Sequence, residues 1–207
     1  MLSLDIRTFR ENAMDESLPL AKIHDAILDF LRGRNDAVVF GAHAVNAYVD
    51  EARLTQDVDV LTTSAQALAE ELRAHLAGKF NAAIRVCELA PAIAYRIYQL
   101  ARPNNRHLAD IRGTSDLPPT QRVGGVLVPV PAELVAQKVI SLAARRGRPK
   151  AGSDWRDIAS LLLVHPELKV NDGEVETRLR ANKATEDAMR EWRSTVASNI
   201  QPDSEEY

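Results

Sequence analysis

Asp57 and Asp59 stand one residue apart in "LTQDVDVLT". In an extended strand, residues i and i+2 share a face, so the two carboxylates lie side by side while Val58 and Val60 turn toward a core. Adjacent anions repel, and the repulsion becomes useful where a hard divalent cation supplies the compensating charge. Magnesium takes such sites with one or two carboxylates and completes its shell with water and phosphate oxygens. A bare Asp-x-Asp is equally a motif of solvated turns, so its surroundings decide what it means.

Upstream, the apolar run "AVVF" ends at Gly41, followed by the alanine-rich "AHAVNAYVDEA". A glycine at a strand-to-helix turn lets backbone N–H groups approach a phosphate, and the start of a helix favours an anion. Gly41 can also serve simply as a tight-turn residue. His43 lies in the same turn and is either a nucleotide contact or a structural residue. The other histidines show no metal-ligand spacing.

A third carboxylate is expected on a neighbouring strand, and "RHLADIRG" places Asp110 between Ala109 and Ile111. An aspartate there needs a partner, either the metal site or an arginine such as Arg112 or Arg96. Lys138, in "VAQKVISLAARR", is a point charge for a triphosphate or an exposed helix lysine. Arg145, Arg146, Arg148 and Lys150 read as an RNA or triphosphate clamp or as a solvated loop between helices.

These residues need elements to hold them. Ile23, Ile27, Phe30 and Leu31 recur at helical spacing, with Gly33 as a stop. "DVDVLT" reads as a strand, and the next segment as a helix capped by Ser64 and closed by Gly78. "AIRVCEL", "IAYRIYQL" and "RHLADIRG" alternate with period two and predict an antiparallel continuation of the sheet, to which "VGGVLVPVP" adds an edge strand. From Pro131 only helices follow, the last running from about 172 to 199. The expected class is α+β: a core over 1–130 and a helical C-terminal subdomain over 131–207, with "QPDSEEY" a disordered tail.

The chain has 207 residues and 45% hydrophobic content, enough for a sizeable core. Its lone Cys87 can form no intramolecular disulfide. A net charge of −3 argues against nonspecific coating of nucleic acid. The first residues resemble no signal or transit peptide and nothing reads as a membrane span, so a cytoplasmic protein is expected.

Taken together, Gly41, Ala42 and Ala44, then Arg53, Thr55, Asp57, Val58, Asp59 and Val60, resemble the polymerase-beta-type nucleotidyltransferase superfamily. Within it the chain resembles bacterial abortive-infection and toxin–antitoxin (AbiEii-like) members, whose later helical motif is matched by Lys138, Asp154 and Asp157. The resemblance implies a nucleotidyltransferase fold, a mixed and partly antiparallel sheet flanked by helices. It also implies two Mg2+ ions and transfer of a nucleoside monophosphate from an NTP to RNA, tRNA included, or to protein. Asp57, Asp59 and Asp110 would be the metal ligands and catalytic acids, with Lys138 and Asp157 also catalytic. Gly41, Ala42, His43, Arg53, Thr55 and Lys138 would bind nucleotide, and a cognate antitoxin would be a partner. Ala42 stands where the family usually has glycine or serine, so binding there would rest on backbone amides.

Two other readings stay open. The phosphatases of the haloacid dehalogenase type also begin with Asp-x-Asp on a strand, but "ARLTQ" is a polar approach and Leu61 stands where they need threonine. A noncatalytic sensor, scaffold or antitoxin of the same fold is the other.

Overall fold

The computed structural model describes residues 19–202. The expectations for the N-terminal targeting segment and for 203–207 of the tail fall outside these residues.

Helix α1 (Leu20–Leu31) buries Ile23, Ala26, Ile27 and Leu31, one stripe at helical spacing. Gly33 follows with φ +78°, a backbone that ends the helix. Strand β1 (Ala37–Phe40) runs straight into the short helix α2 (Gly41–Asn46), and β2 (Val58–Thr62) lies antiparallel to β1. Asp57 therefore sits just before the strand rather than in it.

After helix α3 (Ala65–Phe80), strands β3 (Ile84–Ala90), β4 (Ala94–Gln99) and β5 (Arg106–Gly113) form the expected antiparallel continuation. The sheet order is β1-β2-β5-β4-β3, with β2 and β5 parallel at its centre. Helix α3 covers one face, where Leu68, Leu72 and Leu76 meet the buried side chains of Val58, Val60, Ile97 and Ile111. It does not stop at Gly78: one more turn reaches Phe80, and Asn81, at φ 48°, takes the left-handed closing position.

The segment "VGGVLVPVP" does not join the main sheet. Gly124 and Gly125 have φ +57° and +85°, the sign a two-residue hairpin turn requires at both central positions. The chain thus folds back as a separate pair, β6 (Thr120–Val123) with β7 (Val126–Pro129).

Helices α4 (Pro131–Ala144), α5 (Lys150–Val164), α6 (Glu174–Ala181) and α7 (Glu186–Ala197) complete the fold. Pro131 occupies the first turn of α4, where its missing N–H costs nothing. Leu134, Val135 and Val139 of α4 pack with Leu161, Leu179 and Trp192. The expected single helix over 172–199 is two, because Lys183 adopts φ +53° and Thr185 caps α7 by accepting from the Ala188 N–H. Among the described residues no helix is long and apolar enough to cross a membrane.

Candidate functional site

The carboxylates converge because of the strand register. Asp59 on β2 pairs with Asp110 on parallel β5, and Asp59 also faces Phe40 on β1. Gly41 follows Phe40 with φ +67°, which favours glycine, and any Cβ there would overlap Asp59 Oδ2. Thr55 Oγ1 donates to the Asp57 carbonyl at 3.1 Å and so fixes the turn that presents Asp57.

A cleft of about 490 Å3 opens above these residues. Its floor comprises Gly41, Ala42, Asp57 and Asp59, and its far wall carries Lys138 from α4, Arg145 just after that helix, and Lys150 and Asp154 from α5. Arg53 and Thr55 also line it, whereas His43 does not. His43 instead packs edge-on against His24, ring centroids 4.8 Å apart, and burial with the neighbouring His24 charge lowers its pKa to about 4. Leu54 stands fully exposed at the rim, 99% accessible.

Asp59 has no hydrogen-bond or ion-pair partner among the described residues. Burial, and next the charge of Asp57, push its carboxyl above the usual carboxylate range. A half-buried anion beside another anion is the environment a divalent cation relieves. Asp59 thus has the environment of a cation ligand, next to the group that Asp57 forms with His107 and Asp110.

Asp110 is placed differently. Arg96 Nε and Nη2 donate to its two oxygens at 2.7 and 2.8 Å, and His107 Nε2 lies 3.0 Å from Oδ1. Burial alone would raise this carboxyl, but the Arg96 and His107 contacts outweigh it and hold the group below the usual range. His107 Nδ1 also lies 3.2 Å from Asp57 Oδ2. Asp57, His107 and Asp110 together offer ligand atoms within 4.8 Å of one another. A cation drawing on Asp110 would share it with Arg96, which the spare lone pairs of a carboxylate permit.

His107 is the residue that sequence reasoning missed. Residues 107 and 110 of a regular strand face opposite ways, but Tyr98 pairs with His107 and Ile97 with Ala109, so Leu108 is an extra residue in β5. That bulge turns His107 to the side of Asp110.

Lys138 and Asp157 come together with Arg53. Arg53 donates twice to Asp157, at 2.7 and 3.0 Å, and Lys138 Nζ lies 2.6 Å from Asp157 Oδ2. Asp157 is 1% exposed and does not line the cleft. Burial raises its carboxyl, but Arg53 and Lys138 more than reverse this. Lys138, expected as a point charge or an exposed lysine, is buried yet reaches the cleft. Asp154 holds Arg145 Nη1 at 2.8 Å. The basic run does not act as one group: Arg145 and Lys150 line the cleft, while Arg146 pairs with Glu191 of α7.

The arrangement is that of a nucleotidyltransferase fold: a mixed sheet flanked by helices, two acids beside a glycine turn and a third acid in register on the next strand. Comparison with solved structures agrees. The chain is similar to the Megavirus polyadenylate synthase, with TM-score 0.59 and 16% identity over 81% of this chain. It is also similar to JHP933 from Helicobacter pylori, with TM-score 0.53 and 12% identity over 90% of each chain. This chain spans 36% of the length of the Megavirus protein, and at these identities the likeness is one of fold. No protein-family model matches the sequence, and no curated protein matches it.

Proposed function

We propose that this protein is a metal-dependent nucleotidyltransferase that moves a nucleoside monophosphate from an NTP to a hydroxyl of RNA or protein. The observation that carries the reading is the cleft itself, with paired Asp57 and Asp59 on its floor and Lys138, Arg145 and Lys150 on its wall. Magnesium held by Asp57 and Asp59 would offset the negative charge on the phosphates at the point of transfer.

The chain's own groups supply position. Backbone amides after Gly41 and the basic wall hold the triphosphate, and Leu54, Leu61 and Ile140 offer apolar area to the nucleoside. The acceptor oxygen forms its bond to the α-phosphorus as the bond to the β-phosphate oxygen breaks, pyrophosphate leaves, and the hydroxyl proton passes to solvent. Asp110, held ionised and low in basicity, orients that hydroxyl rather than capturing its proton.

The toxin assignment extends the same reading and rests on the sequence resemblance alone, whose two motifs the Arg53–Asp157–Lys138 network brings together. Expression that arrests growth, with relief in the Asp57→Ala/Asp59→Ala variant and on co-expression of a neighbouring small gene, is the expected behaviour. Growth without arrest removes that assignment.

A noncatalytic nucleotide sensor is the second reading, favoured by the occupation of both Asp110 oxygens by Arg96. Transfer of label from each α-labelled NTP to total RNA and to cellular protein separates the two. Labelling that vanishes in the Asp57→Ala/Asp59→Ala variant supports the enzyme and names its acceptor class. Magnesium-dependent NTP binding with no label in either fraction supports the sensor.

A further inference from the structure

Helix α3 covers only one face of the sheet. Residues paired across strands project to the same side, so the register defines the opposite face. One row is Arg85, Tyr98 and His107, the next is Cys87, Arg96 and Asp110, and the third joins Ala94 to Arg112. The second row continues through Asp59 to Phe40, and the third reaches Leu61. This face carries no helix comparable to α3 among the described residues. Arg85 and Arg112 are exposed, and Cys87, Tyr98 and His107 are partly accessible.

We propose that this open face of β3, β4 and β5 is the acceptor platform and takes single-stranded nucleic acid, with its 3′ hydroxyl at Asp110. The inference rests on the nucleotidyl-transfer reading and narrows its acceptor. Across these strands Asp110 is the single acid in the rows and is paired with Arg96, while Asp57 and Asp59 border the rows on the side of the cleft. Arg85 and Arg112 have no carboxylate partner within hydrogen-bonding range among the described residues, although Arg112 stacks over the Phe40 ring, 5.5 Å from its centroid. Tyr98 and His107 place their ring centroids 5.7 Å apart.

Single strands are held by this combination, cations for the phosphates and flat rings on an uncovered sheet for the bases. A docked protein would instead favour an apolar centre, and the centre here is an ion pair. From β5 to β3 the platform spans about 10 Å, two strand spacings, which suits one or two terminal nucleotides. Arg112 also lines the cleft, so the platform and the nucleotide site are continuous.

The test uses the intact protein without NTP and a 5′-fluorescent 12-nucleotide RNA or the matching DNA, read by anisotropy over a salt series. Arg85→Glu and Arg112→Glu each weaken binding several-fold and reduce the salt slope by about 0.7 for every phosphate no longer engaged. Tyr98→Ala weakens it roughly tenfold while Tyr98→Phe does not, because the stacking face is kept. Arg73→Glu, the same charge change on α3, leaves binding unaltered. Cys87 is the sole cysteine, so saturating RNA slows its alkylation by maleimide in the unmodified protein. Equal binding of RNA and DNA supports a platform blind to the sugar, and preference for RNA supports one that reads the 2′ hydroxyl. Unchanged Cys87 alkylation, or binding indifferent to the variants while circular dichroism shows them folded, overturns the inference. Label transferred to protein alone overturns it too, and leaves the nucleotidyl-transfer reading standing. Strand binding by a protein that transfers no label contradicts that reading instead.

Discussion

Gly41 and Asp59 approach so closely, from the end of β1 and from β2, that a Cβ on the glycine would lie 3.1 Å from the aspartate Cγ and overlap its Oδ2. Gly41→Ala therefore meets both this collision and the strain of φ +67°. We expect a loss of about 1–3 kcal/mol, or roughly 2–4 °C of melting temperature per kcal/mol for a chain this size. Asp59→Ala in the same chain should recover the part due to the collision, and a double-mutant cycle by thermal denaturation measures it. Additive effects would show that the two residues do not touch.

Asp59 should be a liability without metal. Its folded pKa is raised above the unfolded value, so a penalty on the folded state develops as pH rises from the unfolded value through the folded one and is full above it. Asp59→Asn is expected to melt higher than the unmodified protein at pH 7 in chelator, with the gain vanishing below about pH 4. Magnesium or manganese should raise the melting temperature of the unmodified protein and not that of the variant. Equal responses would remove Asp59 from the metal site.

Asp157 holds two cations, Arg53 and Lys138, and is 1% exposed. Removing its charge leaves both without their shared carboxylate, so Asp157→Ala should cost about 3–5 kcal/mol. Urea unfolding measures this. A cost below about 1 kcal/mol would mean that the network does not join the loop before β2 to the C-terminal helices.

His43 gives the fold a pH dependence of its own. Its folded pKa of about 4 lies below the ordinary value of 6.5, so between these values the unfolded chain binds a proton that the folded one lacks. Stability should fall by up to about 3 kcal/mol as pH drops through that window, and His24, lowered by burial, acts in the same direction. Asp110 and Asp157 have depressed pKa values, so their contribution is full above about pH 5 and is lost only below it. Between about pH 6.5 and 5 the histidines thus lower stability as pH falls, while Asp59, raised by burial, works in the opposite sense. Denaturant midpoints against pH should flatten there in His43→Gln, and an unaltered slope would contradict the assignment.

Local signals in the sequence were sufficient for most elements. Apolar spacing marked α1, alternation marked β3, β4 and β5, and Gly41 with Asp57 and Asp59 announced the floor of the cleft. What local pattern could not carry was register. The extra residue at Leu108 decides that His107 joins Asp110, and Arg96 rather than Arg112 holds Asp110 because it lies directly opposite on β4. Lys138 has the composition of an exposed helix residue, and its burial becomes clear only once Arg53 and Asp157, 104 residues apart, meet. The break between α6 and α7 is a single left-handed lysine, which helix propensity does not flag.

The most direct measurement is paired: one incubation with magnesium and an NTP labelled at the α-phosphate, another with the label at the γ-phosphate, each with cell RNA and protein as acceptors. Acceptor should become labelled from the α position only, γ label should leave as pyrophosphate, and Asp57→Ala/Asp59→Ala should abolish both. Label entering acceptor from the γ position would show phosphoryl rather than nucleotidyl transfer, and α labelling that survives loss of both aspartates would show that the cleft does not perform the reaction.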